Sequence, residues 1–126
     1  MAYVPSRCDT VMIPTGNVGD HLFVITTDAC PAGKHLLVNL TSVKQDRHND
    51  LTCILEPGEH PFITQQSYIL YRGAQIQGSN RLGAMVDGWV YRSGARASAE
   101  LTDRILAGFF DSPFTPRFVK NYLAAQ

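Results

Sequence analysis

Short apolar runs punctuated by polar residues fill the first part of the chain, and after Gly78 the spacing becomes helical. Thr10-Val11-Met12-Ile13 reads as a first strand closed by Pro14, and Thr15-Gly16-Asn17-Val18-Gly19-Asp20, with two glycines, as a turn. Two β-type runs follow. Leu22-Phe23-Val24-Ile25 hands over to Thr26-Thr27-Asp28, and Leu36-Leu37-Val38-Asn39-Leu40 to Thr41-Ser42. The proline and glycine of the connection Ala29-Cys30-Pro31-Ala32-Gly33-Lys34 mark a reversal of direction. Leu51-Thr52-Cys53-Ile54-Leu55 predicts a further strand, Glu56-Pro57-Gly58-Glu59 a turn, and Tyr68-Ile69-Leu70-Tyr71 another strand, with the β signal running to Ile76. Short, closely spaced strands joined by Gly and Pro turns predict a small, strongly curved antiparallel sheet or barrel rather than a βαβ array.

Beyond Gly78, Leu82, Met85, Val86 and Trp89 fall on one side of a helix that Ser79 is placed to cap. Ser98 opens a second helix with Glu100 in its first turn. Its apolar stripe of Leu101, Ile105 and Phe109 ends before Ser112-Pro113. Thr115-Pro116 reads as a cap and first-turn proline of a last helix, whose Phe118, Val119, Tyr122 and Leu123 pack back on the domain or against a second copy. The fold expected is α+β in a single domain over 1–126. Residues 1–77 form the β-barrel and 78–126 the C-terminal helical portion, packed on it or at a dimer interface.

Composition narrows the function classes. With 126 residues and 44% hydrophobic content the chain can bury one modest core. Eleven basic and eleven acidic residues cancel, so no global field draws the protein to nucleic acid or lipid, and any such contact is local. The three cysteines, Cys8, Cys30 and Cys53, fit neither a disulfide framework nor a zinc site, which points to a reducing compartment. No apolar run approaches the roughly 20 residues that cross a bilayer, and no leader pattern opens the chain. A cytoplasmic protein without a membrane partner is expected.

The chemistry-bearing residues gather near the strand ends. Thr41 and Ser42 offer hydroxyls to a phosphate oxygen or a ribose. The charged loop Lys44-Gln45-Asp46-Arg47-His48-Asn49-Asp50 follows at once and brings cations to the same rim. Arg72 at a strand end could grip a phosphate while Tyr71 stacks on a base; the bland alternative is a surface arginine beside a core aromatic. His60, after a Pro-Gly turn, is the best-placed acid or base, an ordinary imidazole exchanging its proton near pH 6.5. Its alternative is a turn histidine bonded to local backbone. His21 and His35 read first as strand-start residues, and Asp46, His48 and Asp50 as a solvated loop before a metal site. Trp89 and the late aromatic residues read as core or interface. With no Gly-rich phosphate loop, nucleophile elbow or paired carboxylates, no cofactor or metal is called for. The scattered His, Lys, Arg and hydroxyl groups fit metal-independent cleavage of RNA by its own 2′-hydroxyl.

The order of elements resembles the MazF/PemK (Kid) family of toxins from bacterial toxin–antitoxin systems. His21-Leu22-Phe23-Val24-Ile25-Thr26-Thr27-Asp28 is similar to that family's strand ending in Ser-Asn-Asp, and Leu37-Val38-Asn39-Leu40-Thr41-Ser42 to its strand ending in Thr-Ser. Ser67-Tyr68-Ile69-Leu70 and Arg81-Leu82 match weaker later features. The resemblance implies an SH3-like barrel, a homodimer, cleavage of single-stranded RNA without a metal, inhibition by a cognate antitoxin, and an active site at Thr41 and Ser42. Where the family carries Arg-Pro, with an arginine central to cleavage, this chain has Asp20-His21. Either Lys34, Arg47 or Arg72 substitutes, or only binding remains. The expected function is thus a sequence-selective endoribonuclease toxin. His60, Arg72, Thr41 and Ser42 are its catalytic residues, and Arg47, Lys34, Lys44, Tyr71, Ser67 and His21 contact substrate. The rivals are a non-catalytic SH3-like adaptor for protein or nucleic acid, and an oligomer-forming accessory protein of a phage or mobile element.

Overall fold

The computed structural model describes residues 2–16 and 19–126; Asn17 and Val18 of the expected turn lie outside the described residues. Strands β1 (Thr10–Pro14), β2 (Asp20–Ile25), β3 (Lys34–Ser42), β4 (Ile54–Leu55), β5 (Ser67–Ile69) and β6 (Gln75–Gly78) precede helix α1 (Ser79–Asp87). Strand β7 (Arg92–Ser93) then leads to helices α2 (Ala99–Asp111) and α3 (Arg117–Ala124). The protein is therefore α+β, strands first and helices largely after.

All strand pairings are antiparallel, in the order β4-β5-β3-β2-β1-β7, with β6 also on β3. One edge of β3 is split: Lys34–Leu37 pair with β6 and Leu40–Ser42 with β5, while Leu37–Asn39 pair with β2 on the other side. The path ends at β4 and β7, which do not pair among the described residues, so the antiparallel sheet is not closed.

Alternation along β2 and β3 builds two cores on opposite faces of the sheet. Leu22, Val24, Leu36, Val38 and Leu40 pack with Leu101, Ile105 and Phe109 of α2 and Val119 of α3. Phe23, Ile25 and Leu37 pack with Val11 and Ile13 of β1, Leu82 of α1 and Tyr91. The α2 stripe is buried as expected, and Ser98 Oγ accepts the Leu101 N–H at 3.0 Å to cap it.

Several local expectations are corrected. Leu51-Thr52-Cys53 is a turn, because the Asp50 carboxylate takes both the Thr52 N–H (3.0 Å) and its hydroxyl (2.6 Å), a local bond that competes with strand pairing. Tyr71 begins a single turn of 3-10 helix, Tyr71–Gly73, instead of ending a strand. Gly78, not Ser79, caps α1, since the Ser79 hydroxyl is bonded to His35 Nε2 at 2.7 Å. Trp89 lies past the end of α1 with φ 63° and 84% exposed, outside the core. Pro116 is the N-cap of α3, because the Thr115 hydroxyl donates to the Phe109 carbonyl at 2.8 Å. α3 does pack on its own chain: Val119 is buried and the Tyr122 hydroxyl donates to Lys34 O at 3.0 Å, while Phe118 faces solvent. Among the described residues no helix is long and apolar enough to cross a membrane.

Candidate functional site

The face of β2 and β3 that carries Phe23, Ile25 and Leu37 continues, at every second residue, through His21 on β2 and through Asn39 and Thr41 on β3. Register holds these residues together: Phe23 sits opposite Asn39, His21 opposite Ile13 of β1, and Thr41 opposite Tyr68 of β5. α1 spans nine residues, about 14 Å at helical rise, and covers the Leu37 end of this face. The Thr41 end has no helix over it and forms a groove of about 500 Å³.

Thr15, His21, Asn39, Thr41 and Tyr68 line that groove on the sheet side, with Gln75 beyond them and Arg47, His48 and Arg72 along its edge. His21 and Thr41 also border an adjoining polar hollow of about 340 Å³ that adds Asp20, Ser42, Gln65 and Ser67. His48, Tyr68 and Arg72 border a narrow cavity of about 70 Å³ against Asp50 and Phe114. The groove shares His21 and Thr41 with the polar hollow, and His48, Tyr68, Leu70 and Arg72 with the narrow cavity, and the three together make the candidate depression.

Its polar groups are conspicuously free. Asn39 and Tyr68 are each only 4% exposed, yet the Asn39 carboxamide and the Tyr68 hydroxyl make no hydrogen bond to any described residue. Among the described residues no polar side-chain atom sealed from solvent lacks a partner, so these two groups open into the groove. Gly73 makes room for one of them, since a Cβ there would stand 2.8 Å from Asn39 Oδ1. Arg72 bonds to no described residue, and Arg47 makes only a loose 3.6 Å pair with Asp46, both side chains well exposed. His48 is exposed, its ring edge-on to Phe114 at 5.0 Å. His21 Nδ1 is 2.6 Å from Thr15 Oγ1, and its Nε2 bonds to no described residue.

The loop that brings Arg47 and His48 here is held at both ends. Asn49 accepts the Lys44 N–H at 3.0 Å and donates to the Lys44 and Arg47 carbonyls. Asp50 accepts the Ser112 hydroxyl at 2.6 Å, tying the loop to the α2–α3 connection. Burial alone would raise the Asp50 carboxyl, but the bonds from Ser112 and Thr52 outweigh it and hold the group below the ordinary carboxylate range. The acidic groups bordering the depression are thus engaged, Asp50 in this way and Asp20 by Arg92 at 2.8 Å. The cations are left to act outward.

Four of the expected residues lie elsewhere or point inward. His60 is 6% exposed with both ring nitrogens committed, Nε2 donating to Ala95 O at 2.6 Å and Nδ1 accepting the Phe62 N–H at 3.0 Å. It borders a different hollow, beside Met12, Leu22 and Arg92. Tyr71 has no exposed surface: its ring packs edge-on to Phe109 and its hydroxyl donates to Ile105 O at 2.7 Å, so it offers no face for stacking. Lys34 opens β3, about 27 Å of extended strand from Ser42, and Lys44 is exposed outside the groove lining. Ser67 reaches the adjoining hollow with its hydroxyl bonded to Gln65 O at 2.9 Å.

Asn39, Tyr68, Thr15 and Gln75 were not singled out for the site. The signal was present for Asn39, a lone amide within an apolar strand in phase with Thr41. Among the described residues no group of three or more His, Cys, Asp and Glu side chains is placed to hold a metal ion. No protein-family model matches the chain, and comparison with curated proteins finds no significant match.

Proposed function

We propose that the protein is a MazF/PemK-like toxin: an endoribonuclease that cuts single-stranded RNA at selected sequences and inhibits growth until an antitoxin binds it. The observation that carries this reading is the groove itself. It combines the exposed Arg72 guanidinium, Arg47 with only its loose Asp46 pair, the His21 and His48 imidazoles, the Thr41 hydroxyl, and the Asn39 and Tyr68 polar groups, which open into the groove and bond to no described residue. Those groups match one nucleotide and its phosphate. Arg47 and Arg72 suit the phosphate oxygens, with bidentate geometry open to each. The Asn39 carboxamide and Tyr68 hydroxyl suit polar edges of a base or ribose, which is where selectivity would arise.

The reaction needs no group beyond these. The ribose O2′ bonds to the adjacent phosphorus as the P–O5′ bond breaks, giving a 2′,3′-cyclic phosphate and a free 5′-hydroxyl. A base takes the proton of O2′, an acid gives one to O5′, and the arginines neutralise charge on the phosphorane oxygens. The acid–base work falls to the groove imidazoles rather than His60, with His48 supplying the proton for O5′. The same reading includes an SH3-like barrel, supported by the way β3 is shared among three partner strands, and a cytoplasmic homodimer. Exposed Phe110 and Phe118 on α2 and α3 offer apolar surface for a second copy or an antitoxin.

The test is incubation of the purified protein with a long single-stranded RNA in EDTA, with mapping of the new ends, beside the Arg72→Ala protein. Discrete cuts bearing cyclic phosphates, much reduced in the variant, are expected. Asp20-His21 in place of the family's Arg-Pro, with Asp20 tied to Arg92, favours a second reading, a binding module that has lost cleavage. RNA bound at the groove but left intact would establish that reading instead.

A further inference from the structure

We propose that His21 is the general base of this site and that Thr15 positions it, an assignment that rests on the ribonuclease reading above. One proton decides the tautomer. The Thr15 hydroxyl lies 2.7 Å from Gly19 O and 2.6 Å from His21 Nδ1, and it has a single hydrogen to give. A carbonyl oxygen only accepts, so a hydroxyl oxygen at 2.7 Å from it must direct its hydrogen there. His21 Nδ1 is then the donor of the other bond, which fixes the neutral ring as the Nδ1–H tautomer. The lone pair is left on Nε2, which bonds to no described residue on a ring that borders both the main groove and the adjoining hollow.

The other three histidines do not share this arrangement. His60 and His35 have both nitrogens bound within the chain, His35 donating from Nδ1 to Thr27 O at 2.9 Å and accepting at Nε2 from Ser79. His48 bonds at neither nitrogen to any described residue, so no described partner selects its tautomer. Only His21 combines an orienting bond on one nitrogen with an open lone pair on the other, the arrangement a general base requires. Its neighbour across the sheet completes the placement: His21 and Thr41 together line both hollows, so an O2′ bonded by Thr41 lies within the wall that His21 forms. In the step, Nε2 takes the O2′ proton as the O2′–P bond forms. The ring becomes imidazolium, its Nδ1–H still on Thr15.

The experiment compares single-turnover cleavage by wild type, His21→Ala, Thr15→Val and Thr15→Ser as a function of pH. Binding of a 2′-O-methyl RNA of the cleaved sequence, which cannot react, is measured alongside. His21→Ala should lose about 100-fold or more in cleavage rate and keep its hold on the inert RNA. The rate of wild type should fall as acid protonates Nε2, and that acidic limb should be missing from the residual activity of His21→Ala. Thr15→Val should lose about tenfold in kcat at unchanged KM, and Thr15→Ser should restore it. Nitrogen-15 NMR of the wild-type imidazole should find the proton on Nδ1. If wild type cuts RNA and His21→Ala cuts it equally well, or the proton resides on Nε2, the assignment is overturned while the ribonuclease reading stands. If wild type binds RNA and never cuts it, the enzyme reading fails and the assignment falls with it.

Discussion

The two faces of the β2–β3 pair draw on the same residue types and use them in opposite ways. Under α2, Tyr71 is fully buried, its hydroxyl bonded to Ile105 O and its ring set against Phe109. On the other face, Tyr68 is nearly as buried but its hydroxyl has no partner among the described residues, and Asn39 beside it is the same. Both groups reach solvent in the groove, where water or a ligand can bond them, whereas the sealed Tyr71 hydroxyl has to be bonded within the chain. The histidines repeat the contrast: His60 is locked by backbone groups on both nitrogens, His21 by the Thr15 hydroxyl on one. Matched polar groups hold this fold together; the others are the groups on which the proposed function rests.

The sharpest way to break the matched side is at Gly108. A Cβ there would overlap Tyr71 Oη and lie 2.5 Å from Cζ, with no room for the phenol to retreat inside a packed core. Gly108→Ala should cost about 3 kcal/mol from overpacking and the lost Ile105 bond, read as a lower urea midpoint. Next comes His60→Ala, which strands the Phe62 N–H, leaves the Ala95 carbonyl with the Thr10 hydroxyl as its partner, and should cost about 2 kcal/mol. Cleavage per folded molecule should survive it. His21→Ala should do the reverse, with stability within about 0.5 kcal/mol of wild type and cleavage lost. Equal effects of the two histidines on cleavage would erase the distinction drawn between them.

Much of the fold was legible because period-two alternation fixes which face a strand residue occupies. The runs at Leu22 and Leu36 gave β2 and β3, and the Ser98 cap with its stripe gave α2. The groove was legible in part for the same reason. Thr41, Arg47, Arg72 and His21 reach it, and each stands at a strand end or in the loop that follows. What failed depended on partners far along the chain. Tyr71 reads as a stacking ring or as a core aromatic beside a surface arginine, and it is the second: Gly108, thirty-seven positions away, is the space that its hydroxyl occupies. His60 reads equally as an acid–base group or as a turn histidine bonded to local backbone; its Phe62 bond is of the second kind, while Ala95 is distant in sequence, and Ser79 reads as a cap because nothing in its neighbourhood announces His35. The Leu51 strand was lost to a two-residue bond from Asp50, a competition that composition alone cannot weigh.

Asp50 lets pH act on the comparison, since it is a matched group at the border of the unmatched site. Its carboxyl is held below the ordinary range in the folded chain, so the unfolded chain binds the proton more readily. The stabilisation is therefore fully present above the unfolded value of about 3.9 and disappears as the pH falls through the lower folded value. Ser112→Ala removes one of the bonds responsible. It should cost about 1.5 kcal/mol at pH 7, and the gap from wild type should narrow as the pH drops below the carboxylate range. A gap that stays constant in acid would mean that the Ser112 bond does not depend on the charge of Asp50.

The smallest expected change in stability is the most informative. Asn39→Leu replaces a buried, unpartnered amide with an apolar group of similar size between Phe23 and Tyr68. The amide reaches solvent in the groove, so removing it should leave stability within about 0.5 kcal/mol, whereas removing an amide bonded inside the chain costs about 1 kcal/mol. The urea midpoint should hold or rise, and affinity for the inert RNA should fall. Gly73→Ala, which crowds Asn39 Oδ1, should weaken binding in the same direction without unfolding the chain. A loss of stability in Asn39→Leu would place the amide with Tyr71 and His60 among the groups that hold the fold. Unchanged or raised stability joined to a loss of RNA binding would mean that the Asn39 amide serves a ligand in the groove and not the fold.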